Sequence, residues 1–492
     1  SLSPLSKEER NLQKNTSTFR FFDEHSKYTT EGPDFEELNE KILDNNYTSS
    51  LDVEPLVMAY YLPQFHSIVE NDEFWGKGFT EWRQLAKGLP RFPGHYQPRT
   101  PRDLGFYSLD SVETLEKQAN LAKKMGINAF CYYYYWFNTK RVLEKPLNAH
   151  LVSNIDIPFL LMWANENWTR TWDGSESSIL LQQDYRIEDE NLLIADFARH
   201  FKDERYVRIR DRPLLFIYNP KHLPDGKNTI SRWREKFFEK HGLEPLIYMA
   251  QTFELTDPRP FGLDGAIEFP PHKLTQNLPG RITPDAFYEG FKSRVVRYDD
   301  VVRASIDEEA CDYPLIKTLV PSWDNDSRRP GRGLLLEKSS PNKYQLWLVE
   351  LLRRAIRRPI DDVPIVAINA WNEWAEGAYL EPDVYYGSAY LNATARAVQQ
   401  VKTDFVSDST SVSGKDISVI LPCYNHASYL RERLDSIINQ TLKPAEIIFL
   451  DDASSDESVE VAEQILKNCD IPWRIEKNTE NAGCVFKHTI PL

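Results

Sequence analysis

Pro364-Ile-Val-Ala-Ile-Asn-Ala-Trp-Asn-Glu-Trp-Ala-Glu-Gly377 is the stretch on which the reading of this chain turns. Its first half, Pro364–Ala370, is apolar enough for a buried strand. Its second half carries Glu373 and Glu376 three residues apart, beside Trp371 and Trp374, with Gly377 behind them. If that loop opens a helical turn, residues i and i+3 share one side of it. Two carboxylates walled by indole rings at a strand's C-terminal end suit acid/base work on a sugar. Aromatic walls lower the local dielectric and raise one carboxyl pKa while its neighbour stays ionised. The plainer reading is a surface loop whose Trp residues plug a barrel end and whose carboxylates are solvated.

Working outward, that strand is the last of eight. Apolar runs recur at Leu56–Leu62, Ala129–Tyr135, Phe159–Trp163, Leu214–Tyr218, Leu246–Gln251, Ala266–Phe269, Ile316–Pro321 and Ile365–Ala370. Helical patterns alternate with them at Leu109–Met125, Glu188–Lys202, Ser231–Lys240, Pro284–Val296, Tyr344–Arg358 and Gly387–Val401. Strand–helix alternation predicts a parallel sheet. Eight repeats over 55–401 predict an α/β fold, a (β/α)8 TIM barrel. A doubly wound sheet would show a glycine-rich turn after its first strand, and Tyr61-Leu-Pro-Gln-Phe-His66 is not one.

Chemistry in such a barrel sits where strands end. The candidate substrate-binding residues at those ends are Tyr60, Tyr61, His66, Glu81, Trp82, Tyr134, Trp136, Trp163, Asn165, Glu166, Trp168, Tyr218, Gln251, Glu268, Trp323, Asp324, Trp371, Asn372 and Trp374. Arg170, Trp172 and Asp173 follow the third strand. Hydroxyl-binding groups and flat rings at nearly every strand end are unlike core packing, which favours Leu, Ile and Val. Some remain structural: Trp75 and Trp82 hold the long first loop, part of Tyr132–Tyr135 alternates into the barrel wall, and a lone His such as His66 or His272 is more often a hydrogen-bonded structural residue than a catalyst. No His pair has metal-ligand spacing, so no metal or cofactor is expected in the barrel.

The chain has 492 residues, enough for two domains. Its net charge of −15 argues against a nucleic-acid surface or a polybasic membrane patch. Twelve Trp and 24 Tyr suit carbohydrate stacking and large cores alike. Cys131, Cys311, Cys423, Cys469 and Cys484 show no C-x-x-C spacing, which implies reduced thiols and no zinc. No apolar run approaches the ~20 residues of a spanning helix, and the polar N-terminus lacks a signal-peptide core. The expected location is cytoplasmic or peripheral to the inner membrane. Residues 1–54 read as a polar arm or linker, with a short helix over Asp34–Leu43, and 402–415 as a Ser-rich linker. Over 416–492 the pattern restarts as βαβαβ, half of a nucleotide-binding sheet.

Five motifs in order give the first domain a family resemblance: Ala59-Tyr-Tyr-Leu-Pro-Gln-Phe-His66, Phe74-Trp-Gly-Lys-Gly-Phe-Thr-Glu-Trp82, Tyr132-Tyr-Tyr-Tyr-Trp-Phe137, Trp163-Ala-Asn-Glu-Asn-Trp168 and Trp371-Asn-Glu-Trp-Ala-Glu-Gly377. From about Pro55 to Gln400 the chain resembles the WbsX-like proteins of bacterial surface-polysaccharide (O-antigen and capsule) gene clusters. At Asn372-Glu-Trp-Ala-Glu-Gly377 it is also similar to glycoside hydrolase family 99, endo-acting α-mannosidases and mannanases. That similarity implies Glu373 as the base that deprotonates the sugar 2-hydroxyl, giving a 1,2-anhydro intermediate. It implies Glu376 as the acid for the leaving oxygen and later the base for water. The residues alone fit equally a nucleophilic carboxylate.

The second domain resembles the start of a glycosyltransferase family 2, GT-A fold domain. The matching motifs are Val419-Ile-Leu-Pro-Cys-Tyr-Asn425, Leu434-Asp-Ser-Ile-Ile-Asn-Gln-Thr441, Asp451-Asp-Ala-Ser-Ser-Asp456 and Asn481-Ala-Gly483. The resemblance implies nucleotide-sugar binding by Pro422, Asn425, Asp451 and Asp452. It also implies a divalent Mg or Mn ion, whose Asp-x-Asp ligands, with the acceptor half and catalytic base, are expected past Leu492. The Asp451-Asp452 pair also reads as a capped helix N-terminus. The leading expectation is a retaining endo-glycosidase or transglycosidase on α-mannose- or rhamnose-type glycans, lipid-linked or free, fused to a transferase. The rivals are a non-catalytic carbohydrate-binding barrel and a barrel that is itself a glycosyltransferase.

Overall fold

Eight strands, all parallel, close on themselves: β1 (Leu56–Tyr61), β2 (Ala129–Phe137), β3 (Phe159–Trp163), β4 (Arg212–Ile217), β5 (Leu246–Gln251), β6 (Gly265–Glu268), β7 (Leu315–Leu319) and β8 (Ile365–Ile368). Each pairs with the next, and β8 and β2 both pair with β1, completing the predicted (β/α)8 barrel. Parallel barrel strands are covered on both faces, so they read as continuous apolar runs; all nine residues of β2 are buried. The computed structural model describes residues 23–43, 54–169, 179–252, 254–280, 285–287, 290–407, 417–438, 440 and 443–481. It divides into two units, Ser1–Lys402 and Thr403–Leu492.

Around the barrel run α1 (Val112–Lys124), α2 (Lys145–Val152), α3 (Glu190–Phe201), α4 (Gly226–His241), α5 (Tyr298–Ile306), α6 (Pro341–Arg357) and α7 (Ala389–Ser407). Helix α1 buries Leu115, Gln118, Ala119 and Ala122, the i, i+3, i+4, i+7 stripe of a helix against a sheet. Helix α6 starts where its sequence says it should: the Ser340 hydroxyl accepts from the Lys343 N–H, and Pro341 occupies the first turn, where a missing N–H is harmless.

Three expectations fail. The described residues of Pro284–Val296 do not form the expected helix: Arg294–Arg297 is a strand paired in parallel with Leu334–Glu337, and a helix begins at Tyr298. The β-branched pair Val295-Val296 favours the extended form, while 281–284 and 288–289 lie outside the described residues. Asp34–Leu43 is not helical; instead Glu36 bridges Gly387, and both its carboxylate oxygens accept from Arg396, at 2.8 and 3.0 Å. The arm is thus strapped to α7. The expected linker begins late, because α7 continues to Ser407, and 408–416 lie outside the described residues.

The second unit is a parallel sheet of β9 (Ser418–Cys423), β10 (Glu446–Asp451) and β11 (Trp473–Lys477), with α8 (Ala427–Ile438) and α9 (Ser458–Leu466) between them. Leu421, Leu434, Phe449, Ala462 and Leu466 form its core. Among the described residues, no helix is long and apolar enough to cross a membrane.

Candidate active site

Strand register decides which rings reach the barrel mouth. Tyr60 of β1 sits beside Cys131 of β2, so Tyr133 and Tyr135 share its inward face. Tyr61 sits beside Tyr132, and Tyr134 beside Trp163, so these four point to the outer helices. The contacts agree: Tyr61 donates to Gln118 on α1 at 2.7 Å, Tyr134 to Asp196 on α3 at 2.7 Å, and Trp163 packs on Trp233 of α4. Of the sequence candidates, Tyr61, Tyr134 and Trp163 are therefore wall residues. Trp136 stacks on Tyr134 and belongs with them.

At the C-terminal ends of the strands lies an open cavity of about 160 Å³, lined by Tyr133, Tyr135, Tyr218, Phe269, Trp168 and Trp323 as rings and by Glu166, Glu373, Glu376 and Arg328 as charges. Six expected residues thus converge there: Glu166, Trp168, Tyr218, Trp323, Glu373 and Glu376. Among the described residues the buried Trp323 indole N–H has no hydrogen-bond partner, a donor suited to a polar ligand. His272 also lines the cavity, edge-on to Trp323. Burial holds its pKa down to about 4, helped by the Arg329 charge, so it is neutral at physiological pH.

The centre of the site is an arginine that the sequence reading passed over. Arg328 donates through Nη1 to Glu376 at 2.7 Å and through Nη2 to Glu373 at 3.0 Å. It also donates through Nε and Nη2 to Glu81, at 2.8 and 2.5 Å. Burial pushes the Glu373 carboxyl well above the usual carboxylate range; the Arg328 charge opposes this, and Glu376 and Glu81 reinforce it. Burial likewise raises Glu81, against the pull of Arg328. The Glu81 and Glu373 side chains are almost fully enclosed, whereas that of Glu376 is 19% exposed, at the mouth. One cation among three carboxylates makes an ionised Glu373 a strong base.

The remaining candidates support this centre from behind. The Asn372 amide grips the Leu62 backbone, accepting from its N–H at 2.8 Å and donating to its carbonyl at 3.0 Å, and also donates to the Tyr107 hydroxyl at 3.3 Å. Trp374 stacks on Tyr379 and donates to Glu381 at 2.6 Å, while Trp82 packs against Trp374 and donates to the Tyr107 carbonyl. Trp371 is buried against Phe130. Asp324 accepts from Gln97 and pairs with His95; despite burial, the His95 contact and the Arg99 charge hold its pKa down to about 2. Its backbone N–H donates to the Glu376 carbonyl at 2.7 Å, and the Ser327 hydroxyl donates to the Ala375 carbonyl at 2.7 Å. The loops after β7 and β8 are thus tied together. Gly377 turns at φ 62°, where a Cβ would lie 3.0 Å from both Arg99 and the Asp324 nitrogen.

Several expected ligands are instead internal struts. The Tyr60 hydroxyl donates to the Glu268 carbonyl, and the Glu268 carboxylate is held by Lys317 and the Thr318 N–H. Gln251 bonds the Thr256 carbonyl, Tyr313 and Lys273. Asn165 joins the ends of β3 and β4 through Asn219. His66 is fully buried and lines no part of the cavity. Arg170, Trp172 and Asp173 lie outside the described residues.

The Asn372 clamp is testable apart from catalysis. Asn372→Ala leaves the Leu62 backbone pair unsatisfied inside the protein, a loss of about 1–3 kcal/mol for each buried group left unpaired. Urea denaturation of the variant should show a clearly lower midpoint; an unchanged midpoint would remove Asn372 from the framework.

In the second unit, Cys423 and Asp451 are register partners, which puts both strand ends at one edge. The Asn425 side chain accepts from the Ser455 N–H at 2.8 Å, and Asp451 accepts from Ser454 at 3.0 Å. These two shape the loop. Pro422 is exposed, and one oxygen of Asp452 accepts from Asn478 at 2.8 Å. Among the described residues, no three His, Cys, Asp or Glu side chains group to hold a metal ion. The divalent ion implied by the GT-A resemblance therefore has no described ligand set.

A barrel with a ring-lined mouth and a carboxylate pair on a buried arginine defines a carbohydrate-active enzyme. The chain belongs to the WbsX family: the family described as "Glycosyltransferase WbsX" matches residues 57–394, and glycosyl transferase family 2 matches 418–485. It is 40% identical over 387 residues to protein WxcX of Xanthomonas campestris pv. campestris, covering 78% of this chain and 54% of WxcX. The chain thus spans about half the length of the curated relatives it matches. Glycosyltransferase GlyA of Streptococcus pneumoniae is 45% identical over 67 residues, 14% of this chain and 9% of GlyA. Among solved structures, the GH99 endo-α-mannosidase of Bacteroides thetaiotaomicron aligns with a TM-score of 0.44 and 13% identity, over 72% of this chain and 99% of that one.

Proposed function

We propose that the barrel is a retaining endo-glycosidase or transglycosidase acting on α-mannose- or rhamnose-type polysaccharide during assembly of a bacterial surface glycan. The observation that carries this reading is the pair Glu373 and Glu376 on the two Nη atoms of one buried guanidinium. Two carboxyls within hydrogen-bond reach of one guanidinium are placed to act on the same glycosidic bond. A binding module needs the rings of Tyr133, Tyr135 and Trp168 but has no use for two apposed carboxyls at their centre.

The roles follow the family 99 resemblance at Asn372–Gly377. Glu373, once ionised, draws the proton from the attacking group, in this reading the sugar 2-hydroxyl, and returns it when the intermediate opens. Glu376, at the open side, protonates the leaving oxygen and then activates the incoming water or sugar hydroxyl. Arg328 keeps both carboxyls oriented. The second unit takes a nucleotide-sugar donor, with Pro422 and Asp452 nearest its base and ribose; a divalent ion at such a site would need ligands other than the described residues. We place the whole in the cytoplasm or at the inner face of the membrane. Proton NMR of the first-formed product tests the reaction class: retention of the anomeric configuration is expected, and inversion would overturn the two-step reading.

A further inference from the structure

The cavity does not end at the glutamates. Beyond Glu376 and Arg328 it opens into a second chamber of about 540 Å³, which shares Glu166, Tyr218 and His272 with the first and reaches Arg294, Arg329 and Arg332. The two chambers differ in charge. Glu166, Glu373 and Glu376 face Arg328 in the inner one, while the outer one gains three arginines and no further carboxylate. Arg294 is engaged with the Thr275 and Leu278 carbonyls. Arg329 and Arg332 are exposed, and their guanidinium groups make no hydrogen bond or ion pair among the described residues. Arg329 and Arg332 line this mouth together with His272.

In a chain of net charge −15, many of the described arginines pair with a carboxylate: Arg91 with Asp326, Arg232 with Glu190, and Arg234 with Asp264. Two adjacent arginines without one, at the rim of an acidic catalytic cavity, leave a local positive field that a neutral glycan would not use. We infer that the substrate carries an oxyanion, a phosphate or a uronate carboxylate, which docks on Arg329 and Arg332 while the reacting sugar meets Glu373 and Glu376. This rests on the glycosidase reading only for the position of the reacting bond. Guanidinium groups bind such planar or tetrahedral oxyanions through paired N–H donors. The inner carboxylates repel the same group, so an asymmetric substrate enters in one orientation only.

Calorimetric titration of the protein with pyrophosphate, inorganic phosphate, glucuronate and, as a neutral control, mannose provides the test. At least one anion should bind, more weakly as salt rises, and Arg329→Gln/Arg332→Gln should weaken it by about tenfold or more. Arg303→Gln, an exposed arginine of α5, should leave it unchanged. Preference for the phosphates assigns a phosphorylated or diphosphate-linked glycan; preference for glucuronate assigns an acidic polysaccharide. No anion binding, or equal affinity in the double variant, would overturn the inference. Glu376→Gln separates the two readings: it should lower cleavage by about 10²–10⁴-fold without weakening anion binding, so failure of either result leaves the other standing.

Discussion

Glu376→Gln is expected to lower turnover by about 10²–10⁴-fold, the usual contribution of a positioned general acid, while glycan affinity stays within about tenfold, or roughly 1.4 kcal/mol. The amide keeps the size of the carboxyl and can still accept from Arg328 Nη1, which reaches Glu376 at 2.7 Å, but it has no acidic proton to give the leaving oxygen. Because Glu376 is the most exposed of the three glutamates, the substitution removes no buried charge of the kind Glu81 carries. Binding measured by calorimetry and turnover measured on the same oligosaccharide check the split. Equal loss of both would make Glu376 a substrate ligand and not a proton donor.

The second large effect is expected at Arg328. Replacing it with Met strands three carboxylates around an apolar side chain, and breaking a buried ion pair from one side typically costs about 3–5 kcal/mol. Arg328→Lys keeps the charge but, as a compact ammonium, cannot reach Glu81, Glu373 and Glu376 in the same geometry. The pH profile gives the sharper result. Glu373 must be ionised to act as the base, so kcat/KM falls on the acid side as pH drops through its pKa. Arg328 pulls that pKa down against burial; weakening the contact lets it rise, and the acid limb of Arg328→Lys should move to higher pH. An unmoved limb would show that Glu373 does not control it.

Much of this architecture is legible in the chain itself. Eight apolar runs separated by helical stripes specify the barrel, and the two glutamates three apart, after the last run, lead to the site. What the sequence conceals follows from alternation and from long-range closure. In Tyr132-Tyr-Tyr-Tyr135 every residue is a plausible sugar platform, but a strand sends alternate rings to opposite faces, so Tyr133 and Tyr135 reach the cavity and Tyr134 does not. The parity was available from the neighbouring strands only once their register was known. Arg328 lies four residues past Asp324, in a loop without periodicity, and its significance comes from Glu81, which is 247 positions away in the chain. A cluster of arginines in an acidic chain, Ser327-Arg-Arg-Pro-Gly-Arg332, was the available signal. The false helix over Pro284–Val296 has a simpler cause: a strand of four residues that runs straight into α5 is too short to outweigh the helical spacing before it.

The central claim is that the barrel breaks glycosidic bonds with Glu373 and Glu376. The most direct test is incubation of the protein with bacterial mannan and rhamnan oligosaccharides, with the products followed by mass spectrometry beside Glu373→Gln and Glu376→Gln. Shortened or transferred products from the unaltered protein, and none from either variant, are expected. Glycan binding without any product from all three proteins would contradict the claim and leave the barrel a carbohydrate-binding platform.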